Sequence, residues 1–167
     1  MSAVPVAEIL RVPLEPLCLR VRKLLADDTR PLVEVLAQAP CPPEPLAVAR
    51  AVASLVGLGA LHPGGSDLLT PLGHRLALLP IEPRLGKTLL CAAALGCLSP
   101  VALIVASLSA PRDPFGRGRA AGTAKRALDM TSDLLALVRA HGEWSAKRAS
   151  CEALGVHGPT MKEVEQA

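Results

Sequence analysis

Gly86-Lys87-Thr88 is the tripeptide in this chain that most invites a chemical reading, because Gly-Lys-Thr ends the loop that cradles nucleotide phosphates. That loop needs another glycine five residues before Gly86, and Ile81 stands there. Glu82 and Pro83 occupy places where a phosphate nest needs glycines, so a nucleotide site at Lys87 is excluded. Gly116–Arg119 is arginine- and glycine-rich, yet too short and without the Lys-Ser/Thr of a phosphate loop. His62, His74, His141 and His157 show no HExxH or HxxxH relation, no serine sits in GxSxG, and no carboxylate pair is set out for acid–base work. The cysteines, Cys18, Cys41, Cys91, Cys97 and Cys151, are odd in number and contain no CxxC, which argues against a disulfide framework and against zinc. No catalytic constellation emerges.

The elements that would position any functional residue read as helices. Half of the 167 residues are hydrophobic, but there is one Phe, one Trp and no Tyr, so the core is built from Leu, Val and Ala. Such residues favour a mainly helical protein, and the scarcity of aromatics counts against a base-stacking platform. A helix is expected over 13–25, with Leu14, Leu17, Val21 and Leu24 inward and Arg11, Glu15 and Arg22 opposite. A short helix over 31–39 follows, then one over 44–58 with Leu46, Ala49, Val52, Leu55 and Val56 inward. Its only charges are Glu44 and Arg50, so a base-reading role is improbable. Residues 60–62 and 67–69 flank Pro63-Gly64-Gly65-Ser66 and predict a β-hairpin. Thr70-Pro71 starts a helix in which Leu72, Leu76 and Leu79 share a face, and Pro80 and Pro83 fix the corner after it.

Residues 88–111 carry no charge, a length that could span a bilayer. Gly96 followed by Ser99-Pro100 divides the run into two helices of roughly 11 residues, below membrane span, and predicts a buried helical hairpin containing Cys91 and Cys97. A loop follows over 110–122, with Arg112, Arg117 and Arg119. One long helix is expected over 124–141, lined by Lys125, Asp129 and Asp133, with Leu128, Leu135 and Val138 inward and Gly142 as its end. Trp144 then opens a short helix over 145–154 as a packing anchor. The N-terminus lacks the basic and apolar regions of a signal peptide. A net charge of +3 permits contact with RNA phosphates without demanding it.

The stretch LTPLGHRLALLPIEPRLGKTLLCAAALGCLSPVALIVASLSAPRDPF, with AEILRVPLEPLCLRV, GLGALH and SDLLALVRAHGEW around it, resembles the region after the motor core of DEAH-box (DExH-type) ATP-dependent RNA helicases. The resemblance implies a mainly α fold: a winged-helix domain with a short hairpin wing over 1–70, then a helicase-associated (ratchet) bundle over 71–167. It implies a non-catalytic module of such a helicase, intracellular, in cytoplasm or nucleus. ATP and Mg²⁺ would belong to the parent's RecA-like domains, whose motifs this sequence lacks, and this chain would hold no cofactor. Implied partners are single-stranded RNA, the RecA-like core in cis or in trans, and helicase-activating proteins, with no membrane. By position in the family, Arg84, Lys87, Arg112, Lys125, Arg126 and Asp133 would face RNA. The alternative is a stand-alone protein-interaction or scaffold module without RNA contact.

Overall fold

Prolines and glycines cut this chain into short helices, and the folded molecule follows those cuts. A computed structural model describes residues 12–65, 67–116, 118–147 and 149–166. Expectations for residues 1–11, Ser66 and Arg117, and for Arg11 among them, fall outside the described residues. The chain forms two compact units, Met1–Lys87 and Thr88–Ala167.

In the first unit, α1 (Leu14–Leu24), α2 (Leu32–Leu36), α3 (Pro45–Leu58) and α4 (Pro71–Leu76) pack with α3 against both α1 and α2, and α4 against α1. The buried residues of α1 are Leu14, Cys18, Leu19 and Arg22, whereas Leu24 is 82% exposed. The inward face is therefore rotated from the expected one, and Arg22 lies inside rather than opposite. The cause is polar. The Arg22 guanidinium donates through Nη1 to the Asp28 carbonyl at 2.5 Å and through Nη2 to the Arg30 carbonyl at 2.7 Å. It closes the turn after its own helix, with the buried Asp67 carboxylate 4.0 Å away. Asp67 in turn accepts from the Leu32 N–H at 2.8 Å, at the start of α2.

In α3 the buried stripe is Val48, Ala51 and Leu55, while Leu46 is exposed, so this face too is turned from the expected one. Gly59 ends α3 in a left-handed conformation, φ 81°, which glycine adopts without steric cost. The expected β-hairpin is not seen as strands among the described residues. It is reduced to one antiparallel bridge between Leu61 and Leu69, flanked by His62 N–H to Leu68 O and Thr70 N–H to Ala60 O. The turn glycines Gly64 and Gly65 both have positive φ, and pairing stops after one step on each side. Thr70 caps α4 as expected, accepting from the Gly73 N–H at 3.0 Å. A Cβ on Gly73 would lie 2.0 Å from the Ala60 carbonyl oxygen, so only glycine lets α4 seat against that strand-like segment.

The helix α5 (Pro83–Ala94) has its first turn in the first unit and the rest in the second. α6 (Leu98–Ser109) follows a break at Gly96, φ 71°. The division of the uncharged run is as expected, but α6 begins at Leu98, ahead of Ser99-Pro100. Cys91 is exposed and Cys97 half-buried, so neither is the packed small hydrophobe that the apolar run suggested. No helix among the described residues is long and apolar enough to cross a membrane.

The long helix expected over 124–141 is two helices, α7 (Arg119–Leu128) and α8 (Asp133–Ser145), followed by α9 (Cys151–Leu154) and α10 (Gly158–Gln166). α8 packs on α6, α7 and α9, and α6 on α10. The break belongs to Asp129. Its Oδ1 accepts from the Thr131 N–H at 2.8 Å, the Thr131 hydroxyl at 2.6 Å and the Ser132 N–H at 3.0 Å. Ser132 then caps α8. A short side chain that bonds its own downstream backbone competes with helix, and here it wins. The restart at Asp133 resets the phase: Ala136, Leu137 and Ala140 are buried, and Leu135 is 48% exposed. Gly142 lies within α8 and does not end it. Trp144, also inside α8, packs against a core of Phe115, Ala121, Ala136, Leu137, Ala140, Leu154, Val156 and Met161.

Candidate functional site

The loop between α6 and α7 carries the densest chemistry, and Asp113 organises it. Asp113 Oδ1 accepts from the Phe115 N–H at 2.8 Å, and the Asp113 carbonyl accepts from the Gly116 N–H at 2.9 Å. This turn drives Phe115, 6% exposed, into the core of the second unit. The Pro114 carbonyl accepts from the His157 N–H at 2.7 Å, which ties the loop to the start of α10.

Asp113 Oδ2 also receives Lys125 Nζ of α7 at 3.0 Å, and Asp133 Oδ2 of α8 lies 3.4 Å from the same nitrogen. The ammonium sits 5.5 Å from the centre of the Phe115 ring, within cation–π range. Burial pulls the Lys125 pKa down. The hydrogen bond and charge of Asp113, joined by Asp133, outweigh it and hold the ammonium above the ordinary lysine value. A cavity of about 350 Å³ opens beside this cluster, lined by Ser107, Leu108, Phe115, Lys125, Asp133, Leu134 and Leu137 among others.

Of the six residues singled out from sequence, Lys125 and Asp133 are therefore brought together directly, and Asp113, which sequence reasoning had left as part of the loop, is the second partner of Lys125. The missed signal was the Asp-Pro-Phe order: an Asp two residues before a large apolar residue makes a turn that buries the apolar one. Arg112, in the same loop, is exposed and lines a second cavity with Asp113, Gly116, His157 and Thr160. Arg126 is exposed on α7, where Arg119, Thr123 and Arg126 follow one exposed face at i, i+4, i+7.

Arg84 and Lys87 lie on the first turn of α5. Arg84 is exposed. Lys87 is not a free surface charge: its ammonium donates to the Leu58 carbonyl at 2.7 Å and satisfies one of the last acceptors of α3. Among the described residues no group of three His, Cys, Asp or Glu side chains is placed to hold a metal ion.

Residues 82–154 match the helicase associated domain (HA2), ratchet-like, family. Residues 82–154 belong to this helicase-associated region, and most of the chain is similar to DExH/DEAH-box RNA helicases. Among its relatives, DExH-box ATP-dependent RNA helicase DExH3 of Arabidopsis thaliana is 43% identical over 143 residues, which cover 82% of this chain and 11% of that protein. ATP-dependent DNA/RNA helicase DHX36 of Homo sapiens is 40% identical, over 84% of this chain and 14% of its own length. ATP-dependent RNA helicase DHX29 of Homo sapiens is 38% identical, over 86% of this chain and 10% of its own. The chain thus spans a small part of these relatives.

Proposed function

We propose that this chain is the non-catalytic winged-helix and ratchet module of a DExH-box ATP-dependent RNA helicase and that it holds single-stranded RNA while a RecA-like motor elsewhere binds Mg²⁺ and hydrolyses ATP. In this reading residues 1–70 are the winged-helix part and 71–167 the ratchet bundle, although α4 (Pro71–Leu76) packs on α1 within the first compact unit, Met1–Lys87. The observation that carries the reading is the family match over 82–154 together with exposed arginines on the elements of that same segment.

In this reading the six residues divide by task. Arg112 and Arg126 are exposed and can reach phosphates as charge-assisted donors. Arg84 is exposed on α5, in the other compact unit, and is assigned to RNA by its position in the family alone. Lys125, held by two aspartates, fixes the loop that presents Arg112, and Asp133 holds Lys125. Lys87 stabilises the end of α3. Fluorescence anisotropy of labelled oligouridylate with the whole chain, over a range of salt concentrations, tests this. Every phosphate that is no longer neutralised lowers the salt slope by about 0.7. The double variant Arg112→Ala/Arg126→Ala therefore binds more weakly, with a slope smaller by up to about 1.4. Lys125→Ala weakens binding less at low salt. Unchanged binding of the double variant at every salt concentration refutes the assignment.

A second reading, a protein-interaction or scaffold module, is favoured by one observation. Leu95, Leu98, Leu108, Leu134 and Leu135 of the second unit are between 41% and 80% exposed, more apolar surface than an RNA-facing bundle needs.

A further inference from the structure

The cavity beside Lys125 has its charges arranged inside out for an RNA site. Lys125, the cation, is the buried member, its side chain 17% exposed, while the Asp113 and Asp133 side chains are 41% and 74% exposed. Two carboxylates against one ammonium leave one net negative charge, and that charge is on the solvent side. A phosphate approaching this mouth meets carboxylates first and is repelled. Among the described residues the Asp133 carboxylate accepts only from Lys125, at a long 3.4 Å, so most of its acceptor capacity is unused. Beside the acidic rim stand Leu108 and Leu134, 56% and 41% exposed, and the cavity of about 350 Å³ between them is floored by Leu137 and Phe115.

An apolar slot ending at the exposed Asp133 carboxylate, with the internally bonded Asp113 carboxylate beside it, complements one kind of side chain, a long aliphatic stem with a delocalised cation at its tip. Arginine buries its methylenes along apolar surface and offers a planar fork of donors that carboxylates accept. We infer that the cavity formed by Leu108, Leu134, Asp113 and Asp133 is a docking site for an arginine carried by a segment of a partner polypeptide. The cavity shares Lys125 and Asp133 with the RNA reading, but Arg84, Arg112 and Arg126, the residues assigned to phosphates there, do not line it.

The test uses the whole 167-residue chain with methyl-labelled leucines. The probe is Nα-benzoyl-L-arginine amide, and the uncharged isostere Nα-benzoyl-L-citrulline amide is the control. The expected result is saturable shifts of the Leu108, Leu134 and Leu137 methyls by the arginine probe, with a dissociation constant of about 1 mM, the scale of one docked side chain. The citrulline probe leaves them unmoved at the same concentration. Asp133→Asn, on a largely exposed side chain, weakens the arginine probe by about threefold to fivefold, and high salt does the same. Equal shifts from both probes would make the cavity a non-specific apolar patch and overturn the proposal. So would shifts insensitive to Asp133→Asn, or oligouridylate moving these methyls in place of the arginine probe.

Discussion

Arg22 and Asp67 tie the turn after α1 to the start of α2, and their coupling can be measured. Arg22 is 1% exposed and its Nε–H has no partner among the described residues, so its charge is held there by two carbonyls and by a carboxylate 4.0 Å distant. At that separation and an effective dielectric constant of about 20, the direct attraction is at most about 4 kcal/mol. Asp67→Asn keeps an acceptor for the Leu32 N–H and removes only the charge, so about 2–3 kcal/mol is the expected loss. Arg22→Met removes two charge-assisted hydrogen bonds and strands Asp67, for about 3–5 kcal/mol. Because each single change leaves the other charge buried and uncompensated, the double variant costs at least about 1 kcal/mol less than the sum of the singles. Urea unfolding followed by far-ultraviolet circular dichroism reads all three variants. Trp144, the only tryptophan, lies in the second unit, so its fluorescence serves as a control that the first unit's changes stay local. Additive losses, within about 0.5 kcal/mol, would refute the claim that the pair acts as one unit.

Three further outcomes are expected. Gly73→Ala places a Cβ 2.0 Å from the Ala60 carbonyl oxygen and destabilises the first unit by about 3 kcal/mol, measured as a lower urea midpoint. The hydrogen bonds from Thr131 and Ser132 hold the Asp129 carboxyl below its ordinary 3.8, so the stability it contributes is present above that value and is lost as the pH falls through its lower folded value. Asp129→Asn consequently unfolds more easily than the wild type at pH 6, and the gap closes in acid, as thermal melts at the two pH values will show. Burial first, then the nearby Glu15 and Asp67 charges, push the Cys18 thiol up to about 12, so it stays protonated and inert at pH 8. Iodoacetamide on the native protein should modify exposed Cys41 and Cys91 and leave Cys18 unmodified by mass spectrometry, and early labelling of Cys18 would contradict its burial.

How much of this was legible in the sequence depended on whether backbone rules or side-chain accidents decided the outcome. Thr70-Pro71, Gly59 and Gly96 work through φ and capping alone, and the starts and stops they announce are where the chain places them. The phase of α1 was not legible, because a hydrophobic stripe through Leu14, Leu17, Val21 and Leu24 is apparent only until Arg22 is known to close the Asp28–Arg30 turn. The same holds for α7 and α8. Their apolar spacing reads as one helix, and the Asp129 carboxylate that stops it is a single residue with three acceptances. At the candidate site, the charges at Lys125 and Asp133 were visible as residues. Their meeting was not, since it requires the α7–α8 turn and the Asp113 turn together. The wing failed for a physical reason as well: a Gly-Gly tip offers little to hold strands beyond the Leu61–Leu69 bridge.

The turn between α7 and α8 has a practical consequence. Among the described residues its hydrogen bonds run through Asp129, Thr131 and Ser132, with Arg139 reaching the Leu128 carbonyl and the Asp129 carboxylate, while Met130 between them is 91% exposed. Position 130 is thus a socket that chemistry can occupy without cost to the fold. A spin label or fluorophore placed there by Met130→Cys, after Cys41 and Cys91 are replaced by serine, would ride on the joint between the helix that carries the exposed arginines and the helix that carries Asp133. Its distance to a label on a bound oligonucleotide or peptide would report which of the two occupies that side of the bundle, in solution and without a crystal.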